Sequence, residues 1–127
     1  MRALVIDDSR AMRRIVGTIL TDFGYEVREA GDGRQALDVL EEGWDPDLCC
    51  IDWNMPVMDG LQFVFAVRAT PAYRQVTLMM VTTESETGQI VKALAAGAHE
   101  YLIKPFTADA LRDKLALLGL LPEQVTA

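Results

Sequence analysis

Short apolar runs alternate with longer amphipathic stretches along the whole chain. Short apolar runs are typical of buried strands, whereas apolar residues that recur every three or four positions are typical of helices with one buried face. Glycine and proline lie between many of these stretches and predict turns. The predicted strands are Leu4–Ile6, Tyr25–Ala30, Leu48–Ile51, Thr77–Val81 and Tyr101–Ile103. The predicted helices run from Ser9 to Phe23, around Ala36–Leu40, from Gly60 to before Pro71, around Ile90–Ala95 and from about Thr107 to Leu118.

Strands that alternate regularly with helices predict a parallel sheet covered by helices on both faces. The segment Tyr25–Ala30 alternates apolar and polar residues, which indicates an edge strand. With right-handed crossovers, this favours the strand order 2-1-3-4-5 of flavodoxin-like folds. The predicted fold class is therefore α/β, a doubly wound (βα)5 parallel sheet.

The chain has 127 residues, which is enough for one domain with one sizeable core. We predict a domain over residues 1–121 and a loose tail over 122–127. The amino terminus meets Asp7 after too few apolar residues for a signal peptide, and no apolar run is long enough to span a membrane. A cytoplasmic protein without membrane insertion is expected. Cys49 and Cys50 are adjacent in an apolar strand and are predicted to be buried, reduced thiols.

The formal net charge of -7 argues against direct binding of nucleic acid, which depends on lysine and arginine contacts to phosphates. It is compatible with binding a divalent cation. The arginines of the first predicted helix, Arg10, Arg13 and Arg14, are interpreted as a solvated face that could orient an acidic partner.

Polar residues follow four of the predicted strands, at the point where each strand ends. Asp7 and Asp8 follow the first strand, Asp52 the third, Thr82 the fourth and Lys104 the fifth. The carboxyl ends of parallel strands meet at one edge of the sheet, and ligands bind in the crevice outside that edge. These side chains are therefore expected to converge on one site.

Carboxylates that are brought together repel one another unless a cation shares their site. An all-oxygen set of ligands suits Mg²⁺. One carboxylate can then act as a nucleophile toward phosphorus and form an aspartyl phosphate. Phosphoryl transfer needs mainly positioning and charge neutralisation, which Mg²⁺, Lys104 and Thr82 could supply.

The motifs at these strand ends resemble those of two-component response-regulator receiver domains, in the same order and spacing over essentially the whole chain. They are Val5–Ser9, Ile51–Asp52, Asn54–Gly60, Val81–Thr82 and Tyr101–Phe106. Within that family the chain is most similar to the single-domain chemotaxis regulators of the CheY type, through Met12–Val16, Asp52–Pro56 and Met80–Thr82.

The resemblance implies that Asp52 accepts a phosphoryl group from a histidine kinase. It also implies that Asp8, Asp52 and the backbone carbonyl of Asn54 bind Mg²⁺ directly, with Asp7 acting chiefly through water. Lys104 would pair with Asp52 and then with the phosphoryl group.

Further residues have implied roles in switching. Thr82 would move to hydrogen-bond the phosphoryl group, and Tyr101 would be an aromatic switch that moves inward with it. The Lys104–Pro105 peptide bond is expected to be cis. Asn54 and Glu84 are candidates for tuning the lifetime of the phosphorylated state.

The implied protein is a phosphorylation-activated regulator and not a classical enzyme, because it only accepts the phosphoryl group and slowly hydrolyses it. A monomer is expected, with a face from the fourth to the fifth helix that binds either a flagellar motor switch or a histidine phosphotransfer protein. The second target would make it a phosphorelay shuttle. A pseudo-receiver that binds partners without phosphorylation is a further alternative, although such a protein would be expected to lack an acid, Thr82 or Lys104.

Two other classes share part of this pattern. A flavin-binding carrier needs a phosphate-cradling loop after the first strand, where this chain has Asp7 and Asp8. A haloacid dehalogenase-type phosphohydrolase needs a second acid two residues after its nucleophile, where this chain has Asn54.

Asp59 is interpreted separately, as the N-cap of the third helix.

Overall fold

The computed structural model describes residues 1–84 and 87–122 of the chain. In this part of the chain, strands and helices alternate, and a short 3-10 helix, Pro71–Tyr73, precedes the fourth strand. The strands are β1 (Arg2–Ile6), β2 (Glu26–Ala30), β3 (Leu48–Ile51), β4 (Thr77–Thr82) and β5 (Glu100–Ile103). The helices are α1 (Arg10–Asp22), α2 (Gly33–Glu41), α3 (Gly60–Ala69), α4 (Thr87–Ala96) and α5 (Ala108–Leu117).

The strands form one parallel sheet in the order β2-β1-β3-β4-β5, which confirms the predicted fold class. A hydrophobic core lies on each face of the sheet. One core contains Leu37 of α2, Phe63 of α3 and Ala93 of α4, and the other contains Leu20 of α1 and Leu115 of α5. The strands β3 and β4 are buried by helices from both sides, which explains why their sequences are apolar without alternation.

Side chains that accept hydrogen bonds from the first helical turn fix where four helices begin. Ser9 caps α1, Asp32 caps α2, Asp59 caps α3 and Thr107 caps α5. Asp59 and Gln62 form a reciprocal capping box, which confirms the predicted N-cap. These caps hold the loops that follow β1, β2 and β3 against the edge of the sheet where the acidic residues lie.

Element boundaries differ from the predictions by a few residues. The helices α2 and α4 begin before their first apolar residue, at Gly33 and Thr87, because a first helical turn can be polar. Tyr25 precedes β2 and is buried, and its hydroxyl donates a hydrogen bond to the carbonyl of Leu120. Pro122 is also buried, so packing extends one residue beyond the predicted domain end, while residues 123–127 of the predicted tail lie outside the described residues.

Cys49 and Cys50 are fully buried and make no disulfide, as predicted. Burial raises the pKa of the Cys50 thiol to about 12, so it is protonated at neutral pH. Among the described helices, none has both the length and the apolar character needed to cross a membrane.

Candidate functional site

Three carboxylates meet at the carboxyl edge of the sheet. The strands β1 and β3 are neighbours, with Ile6 aligned to Ile51, so the residues that follow them emerge side by side. The amide of Asp52 continues this pairing by donating to the carbonyl of Ile6 at 2.9 Å. As a result, one carboxylate oxygen from each of Asp7, Asp8 and Asp52 lies within 4.8 Å of the others. The predicted convergence of these acids is therefore present.

Lys104 provides the positive charge at this cluster. Its Nζ lies 2.6 Å from Asp7 Oδ2 and 3.8 Å from Asp52 Oδ2. The Lys104 amide donates to the carbonyl of Thr82 at 2.9 Å, which places the side chain beside the end of β4. The resemblance implied a pair between Lys104 and Asp52, whereas the shorter contact here is to Asp7. The Lys104–Pro105 peptide bond is cis, as expected.

Asp7 uses all of its polar groups within the protein. Its amide donates to the carbonyl of Ala30 at 3.1 Å, and its Oδ1 accepts from the amide of Ser9 at 2.9 Å. Its Oδ2 accepts from Lys104, and its carbonyl accepts from Arg13 Nη1 at 2.6 Å. The carboxylate is therefore held in place before any metal arrives.

Asp52 lies in a partly buried position beside two charged neighbours. Burial is the largest cause that raises the pKa of its carboxyl group, and the nearby Asp7 raises it further. Lys104, the Thr82 hydroxyl and the amide of Trp53 act in the opposite direction. The Trp53 amide donates to Asp52 Oδ1 at 2.8 Å, which leaves Oδ2 facing Lys104.

The residues that the resemblance assigned to switching and lifetime are linked through Glu84. The Asn54 Nδ2 donates to Glu84 Oε1 at 2.6 Å, and the Glu84 amide donates to Thr82 Oγ1 at 3.4 Å. The Tyr101 hydroxyl donates to the Glu84 carbonyl at 2.7 Å. Thr82 is fully buried and Tyr101 is 7% exposed, so the aromatic ring already lies in an inward position.

The donor set fits Mg²⁺. The side chains of the cluster offer carboxylate oxygens, which this hard cation prefers, and Mg²⁺ binds through one or two carboxylates while keeping several waters. Asp8 is exposed and Asp52 half-buried, so both are accessible to a cation, whereas Asp7 is buried and already paired with Lys104.

Arg13 is the site residue that the sequence interpretation missed, because it was grouped with Arg10 and Arg14 on a solvated face. Its side chain is only 18% exposed and pairs with Glu29 at 3.1 Å in addition to its bond to the carbonyl of Asp7. Its position three residues before the buried Val16 is the signal that could have placed it at the border of the buried face.

The chain matches the family model described as "Response regulator receiver domain" over residues 3–116. It is 44% identical over 116 residues to a protein of Campylobacter jejuni named "Chemotaxis protein CheY homolog", which covers 91% of this chain and 89% of that protein. It is 41% identical to "Chemotaxis protein CheY" of Pseudomonas aeruginosa, over 91% of this chain and 93% of that one. A solved structure of Vibrio cholerae chemotaxis protein CheY4 has a TM-score of 0.84 at 39% identity and covers 91% of this chain and 96% of its own. The chain therefore belongs to the response regulator receiver domain family.

Proposed function

We propose that this receiver domain accepts a phosphoryl group on Asp52 from a histidine kinase, in a reaction that requires Mg²⁺, and thereby changes its affinity for a downstream protein. The observation that supports this most directly is the convergence of Asp7, Asp8 and Asp52 with Lys104 at one edge of the sheet. This arrangement combines a nucleophilic carboxylate, oxygen ligands for a metal and a fixed positive charge.

Asp52 is the nucleophile in this proposal. Trp53 donates to its Oδ1, so Oδ2 is the oxygen that faces Lys104 and the incoming phosphorus. A bond forms between this oxygen and phosphorus while the bond from phosphorus to the donor's imidazole nitrogen breaks. The imidazole leaves with its electron pair and takes up a proton.

The negative charge on the phosphoryl oxygens must be neutralised while the phosphoryl group passes from the imidazole nitrogen of the donor to the carboxylate oxygen of Asp52. The ammonium of Lys104 already lies at the cluster, and the hydroxyl of Thr82 is buried beside Asp52. Asp8 and Asp52, with the carbonyl of Asn54, would hold Mg²⁺, which supplies further positive charge to the phosphoryl oxygens.

The phosphorylated state ends when water attacks phosphorus, the bond to Asp52 breaks and inorganic phosphate leaves. The protein thus returns to its starting form and acts as a phosphoryl acceptor and not as a classical enzyme. The hydrogen bond from Asn54 to Glu84 joins the loops that follow β3 and β4, two residues beyond Asp52 and Thr82. We propose that this pair limits the approach of water and so sets the lifetime.

The output depends on Thr82 and Tyr101. The bonds from the Glu84 amide to Thr82 and from Tyr101 to the Glu84 carbonyl join the site to β5. A phosphoryl group that draws the Thr82 hydroxyl toward itself would change this connection and bias a two-state equilibrium. Val91, Leu94 and Ile103 are exposed apolar residues on the adjoining surface of α4 and β5, and this surface is where we expect the partner to bind.

The donor protein must also contact the surface around the acidic cluster. A largely apolar cavity of about 480 Å³ lies beside Lys104. Its lining also includes Met12, Ile15, Pro105 and Phe106. Exposed arginines, Arg10 and Arg14, border the same side of α1. This surface suits a helix of the donor protein that carries apolar and acidic residues.

The output is proposed to be of the chemotaxis type, because the similar curated proteins are named as chemotaxis proteins. The partner would then be a flagellar motor switch protein, and the regulator would act as a monomer in the cytoplasm. A phosphorelay shuttle would instead bind a histidine phosphotransfer protein. Binding of each purified partner with and without a phosphate analogue separates these two outputs.

The acceptor chemistry is tested by measuring the intact mass after exposure to a small phosphodonor with Mg²⁺. The wild type is expected to gain one phosphoryl group, and Asp52→Asn is expected to gain none. Asp59→Asn is the matched control, since it removes a nearby carboxylate but keeps a good N-cap residue, so it should be labelled like the wild type. Folded, Mg²⁺-binding wild type that is labelled neither by the small donor nor by a cognate kinase would instead support the pseudo-receiver.

A further inference from the structure

Arg13 is an arginine of the first helix that contacts the acidic loop without facing the metal site. Its Nη1 donates to the carbonyl of Asp7 at 2.6 Å, and its Nε donates to Glu29 Oε1 at 3.1 Å. Its side chain is 18% exposed, whereas the neighbouring Arg14 is exposed and its side chain makes no hydrogen bond or ion pair within residues 1–84 and 87–122. The two adjacent arginines therefore have different environments.

The carbonyl that Arg13 holds belongs to the peptide unit between the acids of the cluster. Because a peptide unit is planar, fixing this oxygen also fixes the orientation of the amide of Asp8. The backbone angles on both sides, which aim the carboxylates of Asp7 and Asp8, are then restricted. A charge-assisted bond of this length is among the stronger kinds of hydrogen bond in proteins.

Arg13 is itself anchored on two sides. Its amide donates to the carbonyl of Ser9 at 3.0 Å in the first turn of α1, and Ser9 in turn donates to Asp7 Oδ1 at 2.9 Å. Glu29 near the end of β2 holds the guanidinium from the other side. The acidic loop is thus braced between a helix and the edge strand.

We propose that Arg13 is a positioning residue for the metal site, which acts on Mg²⁺ only through the peptide unit that joins Asp7 and Asp8. This inference rests on the proposed function, because it takes the acidic cluster to be a Mg²⁺ site. Without Arg13, the loop can sample orientations in which the carboxylate of Asp8 points away from Asp52. Mg²⁺ binding must then order the loop that carries Asp7 and Asp8, and the affinity for Mg²⁺ falls.

Whether Mg²⁺ affinity rises or falls when Arg13 is substituted distinguishes a positioning role from a purely electrostatic one. Removing a positive charge close to a cation site by itself favours cation binding, because a repulsive interaction is lost. The loss of positioning weakens binding. A substitution of Arg13 therefore has opposite expected results under the two explanations, and the same substitution at Arg14 reports the charge effect alone.

The experiment measures the dissociation constant for Mg²⁺ by calorimetry and by the change in tryptophan fluorescence, to which Trp53 contributes beside Asp52 and Trp44 adds a constant background. The variants are Arg13→Met, Arg13→Lys and Arg14→Met, each first shown to be folded at the temperature of the titration. Arg13→Met is expected to bind Mg²⁺ about tenfold more weakly, as for other residues that orient metal ligands from outside the ligand shell. Arg14→Met should bind as tightly as the wild type or slightly more tightly.

Arg13→Lys keeps the charge but has no planar fork to reach both Asp7 and Glu29, so it should recover only part of the affinity. Mg²⁺ binding by Arg13→Met that equals or exceeds that of the wild type would overturn the inference and leave the proposed function intact. Wild type that fails to bind Mg²⁺ would overturn both. A loss of thermal stability in Arg13→Met with an unchanged dissociation constant would show a merely structural role and would also overturn the inference.

Discussion

The Nζ of Lys104 lies 2.6 Å from Asp7 Oδ2, at the bottom of the acidic cluster. Both side chains are nearly buried, with 11% and 6% of their surfaces exposed. Water therefore screens little of the charge on either group, and each depends on the other for compensation. In the absence of a metal, Lys104 is the cation that allows three carboxylates to share one site.

Replacing Lys104 with methionine should destabilise the Mg²⁺-free protein, because the buried carboxylate of Asp7 loses its partner. The expected loss in the free energy of unfolding is about 3 kcal/mol, as for other broken buried pairs. Mg²⁺ should reduce this loss, since it binds the folded state and replaces the missing charge. Urea unfolding with and without Mg²⁺ measures both effects. Lys92→Met, on an exposed position of α4, is the control and should change little. Equal stability of Lys104→Met and wild type in the absence of Mg²⁺ would contradict this account.

Gly60 is required where α3 approaches the end of β3. A Cβ on this residue would lie 2.2 Å from the carbonyl oxygen of Asp52, and backbone cannot move away easily. Gly60→Ala should therefore destabilise the protein by about 2 to 3 kcal/mol and reduce phosphoryl labelling of Asp52, since the acceptor loop must shift. Chemical unfolding and intact mass report these effects.

The matched control for this prediction is Gly88→Ala in α4, where an added Cβ meets no atom of the described residues within 4 Å. Alanine there should leave the stability unchanged or raise it by up to about 0.5 kcal/mol, because glycine is costly in a helix but Gly88 lies in its first turn. If both alanine variants changed stability alike, the close approach at Gly60 would not be the cause.

Val57 has φ of 66°, a left-handed conformation that is unfavourable for a β-branched residue. The side chain is 81% exposed, so little packing compensates for this strain. Val57→Asn should raise the free energy of unfolding by about 1 kcal/mol, because asparagine tolerates this conformation. The test is thermal or urea unfolding beside Val91→Asn, an exposed helical position where valine and asparagine have similar helix propensities and stability should change little. An unchanged or lowered stability of Val57→Asn would count against the strain.

His99 should make stability fall at acidic pH. Its Nδ1 accepts from the amide of Leu78 at 3.2 Å and lies 3.2 Å from Arg68 Nη2, so a proton on this nitrogen would face two donors. Burial and the charge of Arg68 lower the pKa of His99 below its usual value. The unfolded chain therefore binds the proton more readily than the folded protein. The contribution of neutral His99 to stability is present above the pKa of the unfolded chain, about 6.5, and is lost as the pH falls through the lower folded-state pKa.

This prediction is checked by urea unfolding at pH 7.5 and at mildly acidic pH. His99→Asn is the matched variant, because its side-chain oxygen can accept the same hydrogen bond but does not titrate. His99 is the only histidine of the chain, so no other imidazole contributes to the difference. The wild type should lose more stability on acidification than His99→Asn, and parallel losses would remove His99 as the cause.

Much of the fold was predictable because each strand carries its own local signal. Leu48–Ile51 is apolar at every position and ends at Asp52, which is how a central parallel strand meets the carboxyl edge of the sheet. Asp59 was recognised as a cap because its side chain acts on the helix that follows it directly. Predictions of this kind succeed where the deciding interactions lie within one turn or one strand.

Predictions were weaker where the contacts of a side chain depend on several elements that are distant in the sequence. The sequence indicated that Lys104 reaches the acidic cluster, but the closer contact to Asp7 depends on how β1 and β5 are placed around β3. Likewise, Arg13 differs from Arg14 only by its angle around α1, which decides whether it meets the end of β2 or solvent. Pro122 was assigned to a loose tail because no local signal shows that it is buried.

By itself, the amino-acid sequence determined the order of elements, the parallel sheet and the set of residues that meet at its carboxyl edge. These follow from hydrophobic periodicity and from the cost of placing charge inside an apolar strand, and both act locally. Only the tertiary structure decided which oxygen each cation approaches, how Asn54 and Glu84 pair, and which arginine braces the acidic loop. Those choices depend on distances of a few ångströms between elements far apart in the chain, which are set when the helices pack against both faces of the sheet.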